Sequence, residues 1–224
     1  MIIINGCPRS ATVYITEVLK ICGKEIVHET NSVGRDGIVS WTLVPTIPDD
    51  AVIRRHINFK TIIINGVHHS IQRPMNYVPL PMASFKENYD VLHQVRHPVK
   101  CITSMQKLYP RSLVWPSKFC NVEEGDSRLR MYMKIWYHWN IMAEKQALFT
   151  YRIEDLDTDD DVLKKFCGYV DVPCDEILEA MGNVSKKINT RKGKHVHTLE
   201  DLRSEDSGLC EKICKLAQKY GYDL

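Results

Sequence analysis

No apolar run in these 224 residues approaches the ~20 needed to cross a bilayer. A membrane is therefore not an expected partner. Nor is there an excess of either charge: 30 basic side chains face 28 acidic ones, for a formal net charge of +2. Without a global polycation, general nucleic-acid binding is not expected. The first apolar strand begins at Met1, leaving no room for a basic and apolar leader, so a cytoplasmic location is expected. Repeats, low-complexity tracts and a convincing linker are all missing. The eight cysteines (7, 22, 101, 120, 167, 174, 210 and 214) show no paired short spacing and read as reduced, buried thiols. Cys210 and Cys214 share a helix face, but residues four apart lie farther apart than a disulfide allows. Neither cysteines nor histidines show metal-site spacing, so no metal is expected. The sequon at Asn183 is read as accidental. One further absence is informative. The G-x-x-x-x-G-K-[ST] loop of nucleotide hydrolases, with its phosphate lysine and magnesium hydroxyl, has no counterpart, which disfavours a metal-dependent ATPase.

What is there begins at the first residue. Met1 to Ile4 is an apolar run suited to a buried parallel strand. Asn5 to Ala11 is rich in small residues and holds Pro8, so the backbone can turn tightly. From Thr12, apolar residues recur at helical spacing until Gly23 stops the helix. A turn from a strand's end into a helix's start aims backbone N–H groups and the positive end of the helix dipole at one spot, which favours an anion. Arg9 adds a planar fork of donors suited to phosphate or sulfate oxygens.

Short apolar runs keep alternating with helical stretches. Strands are predicted at 24–27, at Thr61 to Asn65, at Asp90 to Val95 and at Ala147 to Tyr151. Helices are predicted over 98–108, 127–146, 159–166, 174–181 and 209–220. The alternation argues an α/β fold, with residues 1–224 forming one P-loop-type domain around a central parallel sheet flanked by helices. The stretch 31–81 is turn-rich apart from its TIIIN strand. Trp136 and Trp139 sit at helical spacing and read as core.

Ligands of such sheets sit beyond the strands' carboxyl ends, which draws attention to the segments that follow each strand. These carry Pro8 to Thr12; His28 and Glu29, with Ser40 and Trp41 later; His68 and His69; and Arg96, with Ser104 eight residues on. Lys186 to Lys194 adds a basic stretch without an acidic residue. Together they resemble the sulfotransferases that use 3′-phosphoadenosine 5′-phosphosulfate (PAPS). Gly6-Cys7-Pro8-Arg9-Ser10-Ala11-Thr12-Val13 is similar to that family's 5′-phosphosulfate loop. Arg96 with Ser104 matches its 3′-phosphate pair, and Arg191-Lys192-Gly193 its late RKG element. Tyr151 to Leu156 resembles its Y-E-D-L segment near the adenine. The matches run in the family's order over residues 6–193. Ala11 stands where the family has glycine, Val13 where it has threonine, Ile153 where cytosolic members have tyrosine, and His197 where many have tryptophan.

The resemblance implies PAPS as cofactor, PAP as product, no metal, and in-line transfer of a sulfuryl group to a hydroxyl or amine of a small molecule or glycan. Arg9 would stabilise the leaving oxygen. For the base, Glu29, tuned by His28, and His68 or His69 are the candidates, and the compact spacing after the second strand favours Glu29. Two other readings stand beside this one: a P-loop phosphoryl-transfer enzyme, and a non-catalytic nucleotide-binding module.

Overall fold

The computed structural model describes residues 1–29, 34–44, 61–64, 67–70, 90–108, 110–185 and 195–224. Its centre is an all-parallel sheet of β1 (Ile2–Gly6), β2 (Ile26–His28), β3 (Gly37–Val39), β6 (Asp90–Val95) and β7 (Phe149–Arg152), in the order β2-β3-β1-β6-β7. All five residues of β1 are buried, as the unbroken apolar run requires of a strand covered on both faces. The predicted α/β class and its parallel sheet are observed.

Helices cover the two faces. On one side Ile2, Ile4 and Leu92 pack with α1 (Thr12–Ile21), α5 (Asp160–Val170) and α6 (Cys174–Asn183). A second core joins Val95 and Cys7 to α2 (Pro98–Met105), α4 (Arg128–Glu144), α7 (Leu199–Glu205) and α8 (Ser207–Lys219). Trp136 and Trp139 on α4 are fully buried, as their spacing predicts. The eight cysteines are free thiols. Among the described residues no helix is long and apolar enough to cross a membrane.

Several elements differ from expectation, among them α7, which occupies a stretch with no predicted helix. The turn-rich region contains β3, which lies between β2 and β1, so the second strand does not run beside the first. Gly37 makes this possible: a Cβ there would meet the Ile2 carbonyl oxygen at 2.0 Å. The TIIIN run supplies β4 (Thr61–Ile64), which pairs antiparallel with β5 (Val67–Ser70) in a separate two-stranded sheet instead of joining the parallel one. Between β6 and β7 an additional helix, α3 (Pro110–Ser117), precedes α4.

The chain leaves β1 toward β3 and β2 on one side and leaves β6 toward β7 on the other. That reversal opens a crevice at the carboxyl ends of β1 and β6, where parallel sheets place ligands.

Candidate active site at the carboxyl end of the sheet

The turn after β1 is shaped from outside. The Pro8 carbonyl accepts from the Cys101 thiol (3.3 Å), the Arg9 carbonyl from Arg96 Nη1 (3.0 Å), and the Ser10 carbonyl from Gln94 Nε2. Gln94 is itself held by the Tyr151 hydroxyl, which donates to its Oε1 at 2.8 Å. Three successive carbonyls are thus occupied by β6, α2 and the turn between them. Gly6 ends β1 where a Cβ would lie 2.5 Å from the Gln94 carbonyl oxygen and 2.6 Å from Ser10 Oγ. Only glycine lets the two strand ends approach this closely.

Positive φ at Arg9 and Ala11, both 71°, turns the chain into α1. Ala11 is the N-cap and supplies no side-chain hydrogen bond, and the first turn has no acidic residue. A helix start leaves its first N–H groups without intrahelical partners. With no side chain capping them and no carboxylate opposing the dipole, the amides of Thr12, Val13 and Tyr14 form an anion-binding end. Left-handed backbone at a non-glycine residue costs about 1–2 kcal/mol, so Ala11 holds this shape against a local penalty.

Above the turn lies a cavity of about 830 Å³. Arg9, Ala11, Thr12 and Val13 line its floor; Arg96, Lys100, Ser104 and Lys107 line one wall, and His28, Glu29 and Trp41 another. Arg9 Nε donates to Ser104 Oγ at 2.9 Å, which joins the loop to α2. Four cationic side chains and an uncapped helix start, with the loop carbonyls already hydrogen-bonded elsewhere, suit a polyanionic ligand. Glu154, also in the wall, accepts from the His97 N–H (3.2 Å) and the Tyr222 hydroxyl (2.8 Å).

Glu29 follows β2 in left-handed backbone, φ 49°. Burial pushes its carboxyl up to about 7, with a hydrogen bond from Trp41 and the nearby Arg9 charge pulling the other way. His28 is pushed down to about 4, first by burial and then by Lys20. Its Nε2 lies 3.0 Å from Thr12 Oγ1 and 3.3 Å from Glu29 Oε1. With the imidazole neutral near pH 7, the His28–Glu29 contact is not an ion pair. The arrangement holds a carboxyl poised to take a proton near neutrality beside an anion-binding helix start.

The expected site residues separate into groups. Arg9, Ala11, Thr12, Val13, His28, Glu29, Arg96 and Ser104 share the cavity. Cys7 and Ser10 are buried and lie with Pro8 beneath it, where burial raises the Cys7 thiol far above its ordinary value. His68 and His69 fall inside β5, opposite Ile63 and Ile62, and not in a loop after a strand. Arg191, Lys192 and Gly193 lie outside the described residues.

Sequence reasoning missed Lys100, Thr103 and Lys107, although with Arg96 and Ser104 they form a polar stripe at helical spacing. It also missed Gln94 and Cys101, which look like core in the sequence, and it placed Tyr151 with the adenine segment and not as the residue that holds Gln94. Among the described residues, His195, His197 and Asp201 bring one ligand atom each within 4.8 Å of one another.

No protein-family model matches the chain, and no curated protein is significantly similar to it. Among solved structures it is similar to mouse sulfotransferase SULT7A1 complexed with PAP, at 13% identity over 97% of this chain and 84% of that one. The TM-score is 0.47, so the functional reading rests on the residues of this chain and not on the superposition.

Proposed function

We propose that this chain is a PAPS-dependent sulfotransferase acting on a hydroxyl or amine acceptor, a small molecule or glycan. The observation that carries the reading is the β1–α1 turn. Its carbonyls are drawn outward by Cys101, Arg96 and Gln94, and its uncapped helix start opens into the cavity that holds Glu29. The resemblance of the ordered motifs supports it.

The loop amides of Thr12 and Val13, with Arg9, would hold the 5′ side of the nucleotide. Arg96 and Ser104, with Arg191, Lys192 and Gly193, would hold its 3′-phosphate. When bound, PAPS supplies the sulfuryl group and leaves as PAP. Glu29, ionised, takes the acceptor's proton as the acceptor oxygen or nitrogen attacks, and its pKa near 7 suits that work at neutral pH. Trp41 and His28 fix the carboxyl's orientation. Arg9 faces the charge that grows on the departing oxygen; as a guanidinium it offsets that charge without giving up a proton. No step in this scheme requires a metal.

Thermal-shift titration separates this reading from its rivals. Stabilisation by PAP, and none by ATP with magnesium, is expected. The reverse pattern would make the chain a phosphoryl-transfer enzyme. Binding of PAP without turnover on any acceptor would leave a nucleotide-binding module.

A further inference from the structure

We propose that His195, His197 and Asp201 form a binding site for a divalent transition metal of the zinc class, separate from the reaction chemistry. The ligand atoms of the three side chains lie within 4.8 Å of one another. Ligands on a tetrahedral zinc stand about 3.3 Å apart, given metal–ligand bonds of about 2.0–2.2 Å. Closing that gap takes small side-chain rotations, and the His195 side chain, 60% exposed, is free to make them.

The scaffold around the three is already set. The His197 N–H donates to Thr103 Oγ1 at 3.1 Å, and Gln106 Nε2 donates to the His195 carbonyl at 3.4 Å. Both histidines are therefore clipped to α2 and the turn after it, with their ring centroids 4.8 Å apart. Asp201 is oriented by the start of α7. Its Oδ2 accepts from the Thr198 N–H (2.7 Å) and hydroxyl (3.0 Å), while Thr198 Oγ1 accepts in turn from the Asp201 N–H. The same Oδ2 faces His195 Nε2 at 3.5 Å, and such outer hydrogen bonds are what orient metal ligands. His197 Nδ1 is buried with no hydrogen-bond partner, a position a helix-capping cluster alone does not require.

Two imidazoles, borderline donors, beside one carboxylate suit zinc, cobalt or nickel better than magnesium or calcium, which take oxygen ligands. Three protein ligands leave a fourth position for water. The site adjoins the cavity rim, since Val196 between the histidines lines the cavity. A bound ion would pin this strap against α2, beside Ser104. The proposal does not depend on the sulfotransferase reading.

Cobalt(II) titration of the EDTA-treated full-length chain tests it, because cobalt reports its ligands spectroscopically. One cobalt per chain is expected, with the d–d spectrum of nitrogen and oxygen ligands, displaced by zinc. His195→Ala and His197→Ala should each weaken binding ~10-fold or more, with Asp201→Asn, which keeps a capping acceptor, weakening it less. Thermal midpoints in EDTA check that the variants fold. Should His197→Ala fail to fold, the exposed His195 still decides the matter. Absence of cobalt and zinc binding, unchanged binding in His195→Ala, or a sulfur-to-metal charge-transfer band marking the cysteines would each overturn the assignment.

Discussion

Replacing Glu29 by glutamine should move stability and rate in opposite directions. Burial raises this carboxyl from its ordinary 4.5 to about 7 in the folded chain. Between those values the folded state keeps a proton that the unfolded state has lost. Stability on this account is fully present below pH 4.5 and drains away as pH rises to about 7. At about 1.4 kcal/mol for each tenfold change, the loss comes to roughly 3 kcal/mol. Solvent reduces it, because the side chain is 25% exposed. Glutamine carries no charge to bury. Glu29→Gln should therefore be more stable than wild type at pH 8, by up to roughly 3 kcal/mol, and no more stable at pH 4. Removal of the base should slow turnover ~10²–10⁴-fold. The wild-type rate should climb about tenfold per pH unit below 7 and level off above it. Trp41→Phe removes a hydrogen bond that holds the carboxyl down, so the inflection should move to higher pH. Urea unfolding at both pH values, with pH–rate profiles and His68→Ala and His69→Ala as controls, measures all of this. Near-wild-type turnover in Glu29→Gln, or a stability difference independent of pH, would refute the reasoning; collapse in a histidine variant would move the base to β5.

Arg96→Ala should weaken PAP binding about ten- to a hundredfold, the worth of one charge-assisted hydrogen bond, and calorimetry would show it; Arg191→Ala should do likewise. Sulfuryl transfer should survive EDTA at full rate, and a strict magnesium requirement would return the chain to phosphoryl transfer. Gly6→Ala places its methyl 2.5 Å from the Gln94 carbonyl and should cost about 1–3 kcal/mol in denaturant titrations. Ala11→Gly relieves left-handed backbone at the helix start and should leave stability equal or raised by about 0.5–1 kcal/mol, because glycine's added freedom when unfolded offsets part of the relief.

The first strand, its turn and its helix were legible because three local signals agree there: an unbroken apolar run, small turn residues, and apolar spacing at 3.6. The buried tryptophans of α4 were legible for the same reason. β3 was not. It has three residues and opens on Gly37, whose need is set by the Ile2 carbonyl across the strand pair and by a positive φ of 147°, neither of which shows in the residues around it. α3 carries Pro116 inside it, which speaks against a helix in the sequence. TIIIN reads as a strand, and Thr61–Ile64 is one, but partner choice is a tertiary matter and β5 stands next to it. At the site, residue types could be read, while their electrostatics could not. His28 has the better intrinsic pKa for a base, yet burial drives it down and Glu29 up. Gln94 lies in a strand pattern indistinguishable from core until the loop it holds is seen, and the role of Tyr151 in fixing Gln94 shows only there.

The carbonyls of the β1–α1 turn are anchored by residues 84 to 93 positions later in the chain. Strand, turn and helix can therefore form early from local propensity while the loop between them stays unshaped. Its geometry waits for β6 to dock against β1, a closure of long separation with its entropic cost and its slowness. A nascent chain that has emerged only through Ser40 holds the residues that form the cavity floor, together with Glu29, and still has no pocket. The turn takes its shape only once β6 has docked on β1, and a ligand that engages it meets only chains in which that pair has closed.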